Sequence, residues 1–391
     1  MTGRSPKSHS LIVGGGIGGL AIAVALGRND HALTLLERSS FEDEMGAGIQ
    51  LGPNATRALR ELGVIEAIEA LSFKPEAIWI FDALSGRRLA TMPLGNEVEH
   101  RYGAPYLTLR RADLHACLLQ ASQGLDSVEL RQDFDVVTIW HEHGKVVAAG
   151  ADCDEAEGSM LVGADGLWST VRGLVAPEAK PHFAEATAWR TLLPRARLPS
   201  PFDAPVVGLW LGPRAHLVHY PVRGGKDLNL VAVVEGGEAK PGWSETGDVS
   251  AFRANFARWA KDSQSLLESV EDWRGWSLYR LQPLRRWSSG NIALIGDAAH
   301  PTLPYMAQGA ALAIEDAVTL ADCLEAYPGD PPPAFHRYET LRRARAARVQ
   351  RFSRQLGGIY HWSGPLRLAR NLALAAQRDR GLRRFDWVYR G

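Results

Sequence analysis

Hydrophobic positions change their period several times along the chain, and each change predicts a different kind of element. The first apolar run, 11–13, ends in three glycines, passes into an Ala/Val/Leu segment and resumes at 33–36, where it stops at Glu37. A buried strand, a turn, a helix and a second strand follow in that order, so 11–37 reads as a βαβ unit. Beyond a charged loop, a stretch at 45–54 with three glycines and a proline predicts backbone lying close against something. Asn54 then caps a helix that runs to Leu62 and is stopped by Gly63. Segments 76–82 and 87–92 alternate well enough to be strands and predict a hairpin turning at Ser85 and Gly86.

A helical period returns at 111–120, with Leu114, Leu118 and Leu119 on one side. Short strands are expected around 128–140, an acidic turn from 152 to 157, and a fresh apolar strand leading into Gly163. From 186 to 235 the period becomes two. Segments 186–193, 205–211, 215–221 and 227–235 are rich in Trp, Val, Leu and Tyr, and predict an antiparallel sheet of four or more strands. With the hairpin at 76–92, this sheet forms a second domain inserted in pieces. An amphipathic helix is expected over 251–272 and a returning strand over 276–280. The apolar strand at 291–295 ends in Gly296-Asp297 and matches the first strand in character, so it is placed in the same sheet, ahead of a helix carrying Glu315 and Asp316. Finally, Phe335, Tyr338, Leu341, Val349, Phe352 and Leu356 make a helical stripe.

Length and composition narrow the class. A chain of 391 residues exceeds one ordinary core, which implies two domains with appended helices. Forty-four basic and forty-four acidic residues cancel, which argues against bulk nucleic-acid binding. From Arg337 onward fourteen arginines face three acids. Because acids elsewhere compensate and no aromatic interleaving appears, these arginines are expected in salt-bridged packing or a subunit contact. No apolar run reaches the ~20 residues of a membrane helix. The glycine-broken stretch 11–26, preceded only by Arg4 and Lys7, does not read as a signal peptide. Cys117, Cys153 and Cys323 are scattered, without metal-ligand spacing, which fits a cytoplasmic protein with neither disulfide framework nor metal.

Candidate chemistry gathers at the glycine turn. Gly14, Gly16 and Gly19 hold the G-x-G-x-x-G positions: a tight turn, close approach of backbone N–H groups to a pyrophosphate, and close packing of helix on strand. The helix N-terminus would face the phosphates, and Glu37 stands where an acid accepts from an adenosine ribose. This much suits NAD and FAD equally. Gly163-Ala164-Asp165-Gly166 is a second strand-end loop with an acid between glycines. Asp297, at the end of a strand, can accept from ribityl or ribose hydroxyls, and Gly309 lets a helix N-terminus meet a planar, partly anionic ring. On one strand His216 and Tyr220 share a face, with His219 on the other.

Taken together, the first glycine unit with Glu37, the Gly163–166 segment with Arg172, and Gly296-Asp297-Ala298-Ala299-His300-Pro301 with Gln308-Gly309 resemble the single-component FAD-dependent aromatic hydroxylases. The likeness is strongest to the branch of salicylate hydroxylase, 3-hydroxybenzoate 6-hydroxylase and 6-hydroxynicotinate 3-monooxygenase, with support from Gly46-Ala47-Gly48-Ile49, Gly52-Pro53-Asn54 and Arg111-Ala112-Asp113-Leu114-His115. The resemblance implies an α/β architecture of the p-hydroxybenzoate-hydroxylase kind: a discontinuous Rossmann-like FAD-binding domain (1–72, 105–180, 285–330), an interleaved antiparallel-sheet substrate domain (73–104, 181–284) and a C-terminal helical region (331–391). It implies that Gly14, Gly16, Gly19, Glu37 and Arg38 hold the ADP half of FAD, that Arg111 reaches the cofactor, that Asp165 lies near the pyrophosphate and the docking place of NADH or NADPH, that Asp297 binds the ribityl chain, and that Gly309 lies by the isoalloxazine.

The implied reaction is hydroxylation of a small hydroxylated aromatic carboxylate with NAD(P)H and O2 through a flavin hydroperoxide. His216 would act as base and Tyr220 as its hydrogen-bond partner, with Gln50, Pro304 and Tyr305 in the substrate pocket. Gln50 resembles the hydroxybenzoate enzymes, whereas Pro304 stands where those carry Gln and Tyr305 where the hydroxynicotinate enzyme carries His. Arg190 or Arg214 is a candidate for the substrate carboxylate. Another planar aromatic or an N-heterocycle such as a hydroxypyridine carboxylate is the alternative substrate, and a non-hydroxylating flavin- or NAD-binding protein the alternative class. Neither nucleic acid nor membrane is expected as a partner, and a homodimer is left open.

Overall fold

The computed structural model describes residues 9–41, 48–239, 249–268, 270, 272–376 and 378–390; Gly46 and Ala47, in the predicted close-approach loop, lie outside them. Two sheets carry the molecule. The first has the strand order Ser288–Ser289, Ile292–Leu294, Met160–Gly163, Ser10–Val13, Leu33–Leu36, Val128–Arg131, parallel throughout except at the Ser288–Ser289 edge. Its central strands are buried along their whole length, as expected where helices cover both faces. The helix Ile17–Gly27 packs between helices Arg111–Gln123 and Gly309–Ala326. The chain leaves Ser10–Val13 toward Leu33–Leu36 on one side and later adds Met160–Gly163 on the other. That makes the carboxyl end of Ser10–Val13 a topological switch point, where a ligand crevice opens.

The second sheet has seven strands, ordered Arg274–Arg280, His182–Pro194, Asp227–Glu235, Ala215–Val222, Val206–Gly212, Ala77–Asp82, Arg88–Pro93. The 77–93 hairpin joins it through a parallel pairing of Ala77–Asp82 with Val206–Gly212, and every other pairing is antiparallel. Phe81, Trp210, Leu217, Leu230 and Trp273 fill the core on one face. Val207, Leu211, Tyr220 and Val222 fill the other, against Val388 and Tyr389 from the end of the chain.

Four local expectations are corrected. Asn54 does not cap its helix: Pro53–Glu61 starts after Gly52, and the Asn54 amide instead donates to Gln308 Oε1 (3.0 Å) and Glu315 Oε1 (2.6 Å). The acidic stretch 152–157 is only partly a turn, since Glu155–Gly158 is a strand on Lys145–Gly150 with its glutamates outward. The expected helix 251–272 is two short helices, Val249–Ala254 and Lys261–Glu268. Between them the backbone bonds elsewhere: Ala260 N–H donates to Ala83 O, and Phe256 and Trp259 turn into the core.

The stripe on Pro331–Tyr360 includes Phe335, Tyr338 and Val349, but Leu341 is 55% exposed and Arg342 takes the inward position beside it. Arg342 reaches Asp316 (2.8 Å) and Glu315 (2.7 Å), Arg345 reaches Glu315 (2.8 Å), and Arg367 clamps the buried Asp82 (2.6 Å). These C-terminal arginines are thus salt-bridged onto the body of the molecule.

Candidate active site

The glycine loop is built as its spacing predicts. Gly14 has φ +104°, and a Cβ there would lie 2.5 Å from Ala164 O; a Cβ on Gly19 would overlap the Gly14 carbonyl oxygen. Gly16 is different. Its Cβ would meet nothing within 4 Å, so the third glycine keeps open space in front of the helix N-terminus, where unpaired N–H groups favour an anion. Glu37, at the end of the neighbouring strand, accepts from Gly15 N–H (2.5 Å), Ser39 N–H (3.0 Å) and Ser39 Oγ (2.7 Å). From the other side His115 Nε2 lies 2.8 Å from Gly15 O, tying the Arg111–Gln123 helix to the loop.

These groups line a cleft of about 770 Å³ whose wall includes Gly14, Gly16, Glu37, Arg38, Arg111 and Asp165. It continues to Arg190, Leu192 and Asn229 on the seven-stranded sheet. An elongated dinucleotide fits this donor set, with an acid at one end, N–H groups in the middle and the sheet at the far end. Asp165 turns its carboxylate into its own loop, accepting from Ser169 Oγ (2.6 Å) and Val171 N–H (3.0 Å); burial raises its pKa against those bonds. The buried Arg172 donates to Leu167 O (2.6 Å) and Ala298 O (3.1 Å), which joins the Asp165 loop to the Asp297 loop.

Asp297 opens the turn after Ile292–Leu294, accessible to solvent yet enclosed by protein, and that enclosure raises its pKa while His300, Arg111 and Arg172 pull it down. A Cβ on Gly309 would lie 4.0 Å from Asp297 Oδ1. Behind this corner His300 Nε2 sits 2.5 Å from Asp316 Oδ2, which also accepts from Gly296 N–H (3.1 Å). Burial works to raise the Asp316 pKa, but His300 and Arg342 hold it at about 2. This network anchors the Asp297 turn to the middle of helix Gly309–Ala326.

His216 and Tyr220 share a face of Ala215–Val222, and His219 points to the opposite core against Phe202 and Trp210. The two ends of that face have separate neighbours. Tyr220 stands with Gln50, whose Oε1 accepts from Tyr106 Oη (2.7 Å), and with Asn229, whose Oδ1 accepts from Gly48 N–H (2.7 Å). His216 stands with Tyr305 (ring centroids 5.3 Å apart) and Tyr360 (5.4 Å), and its Nδ1 lies 2.8 Å from His361 Nε2. Burial and the His361 ring hold the His216 pKa well below the usual imidazole value, so it is neutral near pH 7. Burial raises the Tyr220 phenol, and Tyr305 is pushed up to about 12. Pro304 is exposed at the start of the Tyr305 turn.

Of the two candidate arginines, Arg190 lies over Trp276 in the cleft wall, while Arg214 sits exposed beside Glu235 (3.6 Å). The sequence does not single out His361, Tyr360 and Tyr106: the first two come from the end of the long helix, far from the motifs and with no spacing to connect them to His216, and Tyr106 precedes strand Leu107–Arg110 with nothing in its neighbourhood to pair it with Gln50.

A family model described as "FAD binding domain" matches residues 7–353. The chain is 34% identical over 380 residues to 3-hydroxybenzoate 6-hydroxylase of Polaromonas naphthalenivorans, covering 97% of this chain and 95% of that protein. It is 37% identical over 381 residues to 3-amino-4-hydroxybenzoate 2-monooxygenase PtnB3 of Streptomyces platensis, covering 97% and 94%. Among solved structures, a variant of Klebsiella pneumoniae HpxO complexed with FAD superposes with a TM-score of 0.86 at 25% identity, covering 98% of this chain and 99% of that one.

Proposed function

Because the chain belongs to the FAD-binding-domain family, as an FAD-dependent aromatic-ring monooxygenase, we propose that it hydroxylates a small hydroxylated aromatic carboxylate with NAD(P)H and O2. The observation that carries the substrate reading is the neutral, buried His216 facing Tyr305 on the strand that also presents Tyr220 beside Gln50. Related proteins named for 3-hydroxybenzoate and 3-amino-4-hydroxybenzoate agree with a phenol bearing a carboxylate. Bound FAD supplies the redox and oxygen chemistry.

The chain's own residues do the rest. Gly16 and the helix N-terminus receive the pyrophosphate, Glu37 the adenosine ribose, with Arg38 beside it, and Asp297 the ribityl hydroxyls. Arg111 reaches the cofactor between Asp297 and the cleft wall, Asp165 shapes the mouth where the pyridine nucleotide docks, and Gly309 meets the ring. His216 takes the phenol proton, which makes the ring carbon a better nucleophile, and Tyr220 with Gln50 hydrogen-bonds the substrate oxygens. Pro304 and Tyr305 close the pocket from the loop side and help exclude water. In this reading 1–72, 105–180 and 285–330 bind the cofactor, 73–104 and 181–284 the substrate, and 331–391 braces both.

The test is a panel of aromatic acids screened for stimulation of NADH and NADPH oxidation, with product identification. Flavin-bearing protein that yields no hydroxylated product from any hydroxybenzoate or hydroxynicotinate would refute the substrate reading.

A further inference from the structure

We propose that His361 and Glu235 form a proton relay that carries the proton taken up by His216 out of the substrate pocket to solvent. The inference rests on the reading of His216 as the base. His216 Nδ1 is 2.8 Å from His361 Nε2, and His361 Nδ1 is 2.9 Å from Glu235 Oε1. The three groups run from the interior outward: His216 is 2% exposed and the His361 side chain 3%, while the Glu235 carboxylate is 41% exposed. The path therefore ends in water at the end of Asp227–Glu235, with Arg214 beside it.

With both imidazoles neutral, one set of tautomers satisfies all three groups. The Glu235 carboxylate accepts, so His361 carries its proton on Nδ1 and offers Nε2 as an acceptor. His216 then donates from Nδ1, which leaves its Nε2 as the acceptor for a substrate hydroxyl. The hydrogen bond of His216 among the described residues runs through Nδ1, not through that Nε2. When the substrate O–H bond breaks, its proton binds His216 Nε2 and the Nδ1 proton of His216 passes to His361 Nε2. The Nδ1 proton of His361 passes to Glu235 and from there to water. One proton enters, one leaves, both imidazoles end neutral, and the phenolate is the one charge left in the pocket. Without the relay, a protonated His216 would be stranded in a site whose burial disfavours the cation.

The position of His361 is itself built. It follows the last turn of Pro331–Tyr360, its carbonyl accepts from Arg214 N–H (3.3 Å), and Arg370 fixes the preceding turn by donating to Ile359 O (3.3 Å) and Tyr360 O (2.6 Å). A histidine needed only for packing would be satisfied by one backbone acceptor. Here both ring nitrogens are spent on ionisable groups that lead to the surface. The titratable and charged groups around the pair are Tyr305, Tyr360, Glu235 and Arg214, and burial raises both tyrosines, so neither competes for the proton near pH 7.

The experiment mixes FAD-loaded enzyme with 3-hydroxybenzoate, salicylate or 6-hydroxynicotinate in weakly buffered solution with a pH indicator, and follows proton release by stopped flow. Ligand affinity is read separately from the flavin spectrum. Wild type should release the phenol proton rapidly. In His361→Phe release should slow by ~10-fold or more with affinity retained, as expected when a positioned proton-transfer group is removed. Glu235→Gln, a change at the surface that leaves the fold intact, should slow release and make it depend on the concentration of added buffer. Imidazole should restore the rate in His361→Gly. Wild-type release rates in both His361→Phe and Glu235→Gln would overturn the relay while leaving His216 as base. Slowed release in His361→Gly that imidazole does not restore would also overturn it, by showing that His361 only packs. If none of the three acids evokes proton release from wild type, the base and the relay fall together.

Discussion

Replacing Gly16 by valine and Gly19 by alanine separates cofactor binding from folding within a single turn of chain. Gly16 has φ −71° and ψ −175°, a conformation any residue adopts, and its Cβ points into open space. Gly16→Val should leave apoprotein stability within about 0.5 kcal/mol of wild type. The added methyls stand where a pyrophosphate would meet the helix N-terminus. Losing two charge-assisted N–H bonds there, at about 1.5 kcal/mol each, predicts ~100-fold weaker FAD binding. Gly19→Ala does the reverse, because its methyl would overlap the Gly14 carbonyl oxygen, backbone that cannot swing aside. Overpacking of this kind costs about 3 kcal/mol, which lowers the melting temperature by about 4 °C. Fluorescence titration of apoprotein with FAD and thermal melts of the same samples report the two quantities. Tight FAD binding by Gly16→Val, or an unfolded apoprotein in that variant, would refute the reasoning.

Three further outcomes are expected. His216→Ala should lower the hydroxylation rate by ~100-fold or more and divert NAD(P)H oxidation to hydrogen peroxide, measured as the ratio of product to peroxide. The Asp316 carboxyl is held at about 2 in the folded state against about 3.9 unfolded, so its stabilisation is complete above the unfolded value and is lost as pH falls through 2. Asp316→Asn should therefore flatten stability between pH 4 and 2, read from urea midpoints across that range. Arg367→Met leaves the buried Asp82 with Arg370, at 3.8 Å, as its remaining cation beside the Ser85 N–H and Oγ donors, and should destabilise by about 2 kcal/mol in chemical denaturation, an effect that Asp82→Asn in the same chain partly reverses.

The parallel sheet was legible because its signals are local: a strand, a glycine turn and an acid at the next strand's end occupy 11–37, and the strand before Asp297 repeats the pattern. The even period of 186–235 likewise yielded four strands in nearly their observed bounds. What failed was decided at a distance. Asn54 looks like a cap to its neighbours, but Glu315 and Gln308, more than 250 residues away, claim its amide. The 251–272 helix breaks because Ala83 accepts the Ala260 N–H. Leu341 and Arg342 exchange their expected places because Asp316 and Glu315 wait on the inner side. His361 carries no motif at all, and only the end of the long helix brings it to His216.

The order of strands in the parallel sheet also sets when each edge can be paired as the chain is made. Ser10–Val13 pairs on one side with Leu33–Leu36 almost at once, but its other neighbour, Met160–Gly163, emerges about 150 residues later, and Ile292–Leu294 later still. Until residue 294 has left the ribosome, a strand edge that will end up fully buried lies open. Pairings of such sequence separation close slowly, and exposed apolar edges of this kind associate with other chains. Expression yield should accordingly respond more to slowed growth and chaperone supply than to any change in the stability of the finished fold.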